Sequence, residues 1–142
     1  MIIKPATKIY ISDSGEKGRG VFASAKIKKG EIIEVCPCVK FKHTQEVPMF
    51  KMPLINYPFY HNSTYLYFCL GWGAMINHSW EGANCHWNSY PNELISFYAL
   101  RDIKAGEELL YDYTGVSGKK VSFAIFDKNC KFKGYKDIVK NG

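Results

Sequence analysis

Short apolar and β-branched runs, separated by clusters of Gly, Pro, Asp and Ser, recur along the chain and predict strands rather than long helices. "TKIYIS" (7–12) reads as a first strand, "SDSGEKGRG" (12–20) as a turn cluster and "GVFAS" (20–24) as a second strand. "KIKKGEIIEVCPCVKF" (26–41) is a Lys-Gly turn followed by a β-branched run, within which Pro37 predicts a bend, a bulge or an edge position. Three prolines, Pro48, Pro53 and Pro58, argue against a long helix over 42–62. Farther on, "ELISFYALRDI" (93–103) is the strongest strand pattern, and "KAGEELLYDYT" (104–114) adds a Gly turn and another short strand. "KKVSFAIFDKNCKF" (119–132) predicts a hairpin turning near Asp127 to Asn129, with a frayed Lys-rich end.

One place breaks the pattern. The apolar-aromatic run "YLYFCLGWGAM" (65–75) ends in a polar knot from Asn77 to Asn84, and Asn77 and His78 have little strand preference. A buried amide or imidazole costs a few kcal/mol unless it is hydrogen-bonded. Segments built only for packing avoid them, so these two side chains imply that something is held there. The blander reading is that they cap a bend with Ser79 and Asn84.

Composition narrows the class. A chain of 142 residues has room for one domain with its own core, and 10 Tyr with 9 Phe favour strands and aromatic-lined channels over helical bundles. The five cysteines form no regular framework, and "MIIKPATKIY" lacks the apolar core of a signal peptide, so a reducing intracellular compartment, cytoplasm or nucleus, is expected. No stretch is apolar for long enough to cross a bilayer, and no membrane partner is expected. The net charge of +6 is uneven: residues 1–115 hold 12 Lys+Arg against 11 Asp+Glu, and residues 116–142 hold 7 against 2. The excess therefore belongs to the tail, a solvated Lys face rather than a nucleic-acid surface.

Several chemistries can be proposed from isolated residues. Gly18-Arg19-Gly20 lets a backbone approach a ligand, but nothing continues it as a dinucleotide fingerprint. Cys36, Cys38, His43, Cys85 and His86 could bind zinc, yet the CxC pair has no second such pair, and free cysteines are the better reading. A Cys/His hydrolase could be drawn from Cys85 with His78, or Cys69 with His86, but free cysteines are often small buried hydrophobes.

Four separated pieces in fixed order say more. "KGRGVFAS", "KKGEIIE", "LGWGAMINHS" with Asn84 beyond it, and "AGEELLYDYT" together resemble a SET domain over about residues 7–114, most closely the compact single-domain type found in viruses and bacteria. The resemblance implies a mainly β, β-clip fold of short curled sheets with few short helices, in which the "LLYDY" strand threads beneath the preceding loop in a pseudoknot-like arrangement. It implies one domain over 1–142, with the Lys-rich segment 115–142 covering the site. It also implies an S-adenosylmethionine-dependent protein-lysine methyltransferase that releases S-adenosylhomocysteine. A non-catalytic SET-like module that binds cofactor, peptide or partner is the alternative.

Site residues follow from the same resemblance. The backbone at Lys17, Gly18 and Arg19 would lie against the cofactor, while the Asn77 side chain and His78 main chain would bind its amino-acid and adenosine parts. Tyr113 would orient the sulfonium and the amine, and Tyr111 would line the lysine pocket and restrict it mainly to monomethylation. A second channel tyrosine is expected at Tyr57 or Tyr60, with Tyr57 preferred. Phe123, Phe126 or Phe132 would cover the adenine, and Phe126 is chosen. Glu107 and Glu108 read as structural acceptors. No metal is expected. The implied partner is a protein or peptide with a target lysine, such as a histone tail, for which Glu34, Glu46, Glu81 and Glu93 are the available acidic charges; homodimers are one arrangement the family allows. The pattern departs from the family in "NHSWEGAN", which has Ala83 before Asn84 and one residue more than usual, and in lacking a triple-cysteine tail.

Overall fold

The computed structural model describes residues 1–45, 53–114 and 120–139, the side chain of Gln45 excepted; Glu46 lies outside them. Two compact units emerge, interleaved in sequence: Met1–Cys38 with Cys69–Tyr113, and Val39–Phe68 with Thr114–Gly142.

In the first unit β1 (Ile9–Asp13) and β2 (Arg19–Ala23) form the antiparallel pair that "TKIYIS" and "GVFAS" anticipate, with Ile9 facing Ala23 and Asp13 facing Arg19. The turn between them is a short 3₁₀ helix, Gly15–Lys17. β3 (Ile32–Lys42) begins in this unit and pairs antiparallel with β8 (Leu94–Ala99), which pairs in turn with β7 (Cys85–Tyr90). The strong pattern of 93–103 is explained by β8, where Leu94, Ile95, Ser96, Phe97 and Ala99 are all buried. A strand covered on both faces reads as a continuous apolar run.

Pro37 does not break β3. The register with β8 shifts between Ile32 and Glu34, and Pro37 is the last residue in it, facing Leu94. The Pro37 carbonyl still accepts the Leu70 N–H at 3.0 Å. The expected bulge is therefore present, but displaced from the proline to the start of the strand, while the missing N–H falls where the pairing with β8 ends.

Cys36, Cys38, Cys69 and Cys85 are buried free thiols and Cys130 is exposed. The Cys36 thiol donates to Glu34 Oε1 at 2.8 Å and the Cys38 thiol to the Cys36 carbonyl at 3.6 Å; the neighbouring Cys69 and burial raise the pKa of both, and burial pushes Cys85 up to about 12. Its Sγ donates to the Leu110 carbonyl at 3.4 Å. Among the described residues no hydrogen bond joins Cys85 to His78 or Cys69 to His86: Cys85 is a core thiol spent on a main-chain carbonyl, and Cys69 has Cys36 and Cys38 as its neighbours.

The second unit contains the rest of β3, which lies beside β5 (Tyr65–Cys69), itself paired with β4 (Phe59–Tyr60), and the hairpin of β10 (Lys120–Phe126) with β11 (Phe132–Val139). The prolines of 42–62 are met by 3₁₀ turns, His43–Gln45 and Pro53–Asn56, rather than by a helix. The Asn56 carboxamide bonds the Ala124 N–H and C=O, each at 2.9 Å, and so completes the edge of β10 as a strand would. The hairpin turn is where Asp127 predicts it, with the Asp127 carboxylate accepting from the Asn129 and Lys131 N–H groups. The Lys-rich end is not frayed at this point, because β11 runs on to Val139. No helix among the described residues is long and apolar enough to cross a membrane.

The part of the fold that builds the site is the smallest. β6 (Asn77–His78) pairs in parallel with β9 (Leu110–Tyr111), two residues against two. Beyond it the Ser79 N–H reaches the Tyr111 carbonyl at 3.1 Å and the Asn84 N–H reaches the Leu110 carbonyl at 2.9 Å. The Asn84 side chain, 1% exposed, closes the crossing: its Nδ2 donates to the Glu108 carbonyl at 2.8 Å and its Oδ1 accepts from the Leu110 N–H at 2.9 Å. This is the pseudoknot-like threading.

Replacing Asn84 by Ala would leave a carbonyl and an N–H unpaired in a dry place, each costing about 1–3 kcal/mol. Asn84→Ala should lose about 3 kcal/mol in urea unfolding; a variant as stable as the parent would show that the crossing does not depend on this side chain.

Candidate functional site

The turn 14–18 is closed by the Ser14 N–H to the Gly18 carbonyl at 2.6 Å and the Gly18 N–H to the Gly15 carbonyl at 3.0 Å. Gly18 has φ 78° and ψ −127°, a conformation that L side chains rarely adopt. Lys17, Gly18 and Arg19 are all exposed, so this stretch offers mostly backbone to whatever lies beside it. Gly20 is buried for a different reason. A Cβ there would collide with the Glu108 carboxylate and press on the Asn77 carboxamide.

Asn77 is held from two sides. Its Nδ2 donates to the Arg19 carbonyl at 3.1 Å and to Glu108 Oε1 at 3.0 Å. The Ser14 hydroxyl donates to the same Glu108 oxygen. His78 Nδ1 accepts the Tyr113 N–H at 3.0 Å, and burial holds the His78 pKa below its ordinary value, with nearby Lys17 acting in the same direction and Asp112 opposing. The imidazole is therefore neutral with its proton on Nε2. Among the described residues that buried nitrogen has no partner, and neither has the buried Trp80 Nε1; the two rings meet edge to face, 4.5 Å apart. Two orphaned donors beside an accepting carboxamide suit a ligand bearing polar groups.

The tyrosines complete the cluster. The Tyr113 hydroxyl donates to the Ile76 carbonyl, so its proton is committed to the chain segment that leads into Asn77. Its ring lies 4.4 Å from that of Tyr111 and 5.1 Å from that of His78. Tyr111 and Tyr113 thus face the same side, as the strand period requires. Tyr111 is 8% exposed, and burial first, then the neighbouring Tyr113, raises its pKa well above that of a free phenol, so it stays neutral.

Of the residues expected from the sequence, Arg19, Asn77, His78, Tyr111 and Tyr113 come together directly, and Lys17 and Gly18 belong to the turn that abuts them. Tyr57 and Phe126 belong to the second unit, where Tyr57 follows the Pro53–Asn56 turn and the Phe126 ring meets Phe132 edge to face at 5.8 Å. The longer loop of "NHSWEGAN" does not displace Asn84, because the Ser79 hydroxyl accepts the Gly82 N–H at 2.8 Å and gathers the extra residue into a turn. Glu34 is not available to a substrate: its carboxylate accepts from the Gly73 N–H at 2.7 Å and from the Cys36 thiol at 2.8 Å. Ser14 and Trp80 went unnoticed in the sequence. Only the position of Ser14 ahead of the Gly turn hinted at it.

Residues 18–114 match the SET domain family. The chain belongs to the SET domain family. It is 34% identical over 107 residues to the histone-lysine N-methyltransferase, H3 lysine-37 specific, of Schizosaccharomyces pombe, covering 74% of this chain and 72% of that protein. It is likewise 34% identical over 117 residues to N-lysine methyltransferase KMT5A of Xenopus tropicalis, although those residues span only 33% of that longer protein and 68% of this chain. Among solved structures, a candidate histone methyltransferase of Plasmodium falciparum superposes with a TM-score of 0.64 at 32% identity, over 81% of this chain and 98% of that one. This SET protein is a protein-lysine methyltransferase.

Half-buried His78 makes acid stability specific. The unfolded imidazole has a pKa of about 6.5 and the folded one lies lower, so below that value the unfolded state takes up more protons. Stability is full above about pH 6.5 and falls as the pH drops toward the folded value, a window shared with His86, which burial lowers in the same way. Between pH 7 and pH 5 the urea midpoint should decline, and less steeply in His78→Gln; parallel declines would refute this role for His78.

Proposed function

We propose that this SET protein transfers one methyl group from S-adenosylmethionine to the side-chain amine of a lysine in a protein substrate, and that a histone tail is the substrate class. The supporting observation is that the Tyr113 hydroxyl, the Asn77 carboxamide and the His78 imidazole are held on one parallel crossing, each with its hydrogen-bonding direction fixed. The histone assignment leans on the relatives above, whose names specify histone-lysine transfer in one case and N-lysine transfer in the other.

The donor set fits the cofactor. Among the described residues the Asn77 Oδ1 has no partner, and the Lys17–Arg19 backbone is exposed next to it. When bound, S-adenosylmethionine supplies a methyl group on a positive sulfonium, for in-line displacement by a nitrogen lone pair. Positioning then carries most of the rate. Tyr113 cannot serve as a strong base, because its proton is already shared with Ile76. Its oxygen instead presents lone pairs toward electron-poor groups. A lysine amine must lose a proton before attack, and a pocket walled by buried, neutral Tyr111 lowers its pKa from about 10.4 by withholding water. Tyr111, buried against the ring of Tyr113, would leave little room for a second methyl group, in line with monomethylation. The resemblance also assigns a lysine-channel role to Tyr57 and an adenine-covering role to Phe126.

Tyr113→Phe should lower radiolabelled methyl transfer to histone peptides about a hundredfold while S-adenosylhomocysteine still binds, whereas Asn77→Ala should weaken that binding. Untouched transfer in both variants would end the mechanism, and binding without transfer in the parent protein would make it a binding module. Tyr111→Phe should raise the dimethyl share in mass spectra; an unchanged product distribution would remove Tyr111 from control of product.

A further inference from the structure

A side-chain amide can sit in either of two flipped orientations, and only its neighbours decide which. Around Asn77 the decision is complete. Two atoms lie within hydrogen-bond reach of its inner end, the Arg19 carbonyl oxygen at 3.1 Å and Glu108 Oε1 at 3.0 Å, and both are acceptors. The opposite flip would set three oxygens against each other. Nδ2 must therefore point inward, using both of its hydrogens, and Oδ1 must point away, with no hydrogen-bond partner among the described residues.

We propose that Glu108 is a positioning residue that fixes the Asn77 carboxamide so that Oδ1 accepts a hydrogen bond from the α-ammonium group of the cofactor, and so selects for that group. This rests on the cofactor reading given above. Three observations point to Glu108 rather than to general packing. First, its carboxylate is reached by the Ser14 hydroxyl as well as by Asn77, and the Ser14 N–H closes the 14–18 turn, so one carboxylate ties that turn to the amide. Second, Gly20 leaves room for the carboxylate where any side chain would evict it. Third, the adjacent Glu107 points elsewhere, to Arg101 at 3.0 Å and the Lys104 N–H at 3.0 Å, so the two glutamates of "GEELLYDY" do different work. A carboxylate behind the NH₂ group also polarises the amide, making Oδ1 a better acceptor for a cation.

The test is calorimetric titration of the full chain with S-adenosylhomocysteine and with its analogue lacking the α-amino group. Glu108→Ala should weaken the natural ligand about tenfold and the deaminated analogue hardly at all, and Glu108→Gln, whose Oε1 can accept the same bonds, should recover most of the loss. Ser14→Ala, which loosens the carboxylate without removing it, should show a smaller loss with the same preference. Equal losses for both ligands, or none, would overturn the role assigned to Glu108. A parent protein that binds neither ligand would instead overturn the cofactor reading on which it stands.

Discussion

The buried carboxamide of Asn84 is the tie on which the rest of this site depends. Pairing two residues against two is too little to hold β6 and β9 together, since isolated strand pairs of greater length are marginal in water. Asn84 adds two bonds at the far end of the loop, one to the chain before β9 and one within it, so the loop and strand cannot separate without stranding polar groups in the core. Once they are locked, Asn77 and His78 lie alongside Leu110 and Tyr111, and Tyr113 arrives one residue pair later with its N–H on His78. A fold constraint and a binding site are thus the same set of hydrogen bonds.

That arrangement also explains why the site is rich in polar side chains yet poor in groups that titrate near neutrality. Burial keeps His78 neutral and Tyr111 protonated, and the Tyr113 hydroxyl donates a hydrogen bond to a main-chain carbonyl while keeping its proton. Each group offers a donor or an acceptor of known direction rather than a proton to exchange. Such a site suits transfer of an alkyl group, where the reacting atoms must be aligned and kept from water, better than acid–base hydrolysis. Cys85, raised by burial and spent on the Leu110 carbonyl, adds no competing nucleophile.

The strands were readable where packing imposes a period. β1, β2 and β8 were all foreseen from runs of apolar residues, and the β10–β11 turn from Asp127. β7, "CHWNSY", was passed over: it is the outermost strand of its sheet, half of it faces outward, and His86, Asn88 and Ser89 dilute the apolar signal. Pro37 was located as an interruption, yet the register shift came at Ile32–Glu34, because the ladder can accommodate a proline where its pairing with β8 is already ending.

Residue types and their order were enough to determine the family likeness, the mainly β character and the identity of the Asn77-His78 and Tyr111-Tyr113 pairs. Only the tertiary structure decided that these pairs lie side by side, that Glu108 rather than Glu107 meets Asn77, and that Glu34 is spent on the Gly73 turn. The reason is physical: local pattern records which face of a strand is buried, whereas a parallel contact between residues more than thirty positions apart, and the direction of each hydrogen bond in it, exists only after the chain has crossed itself.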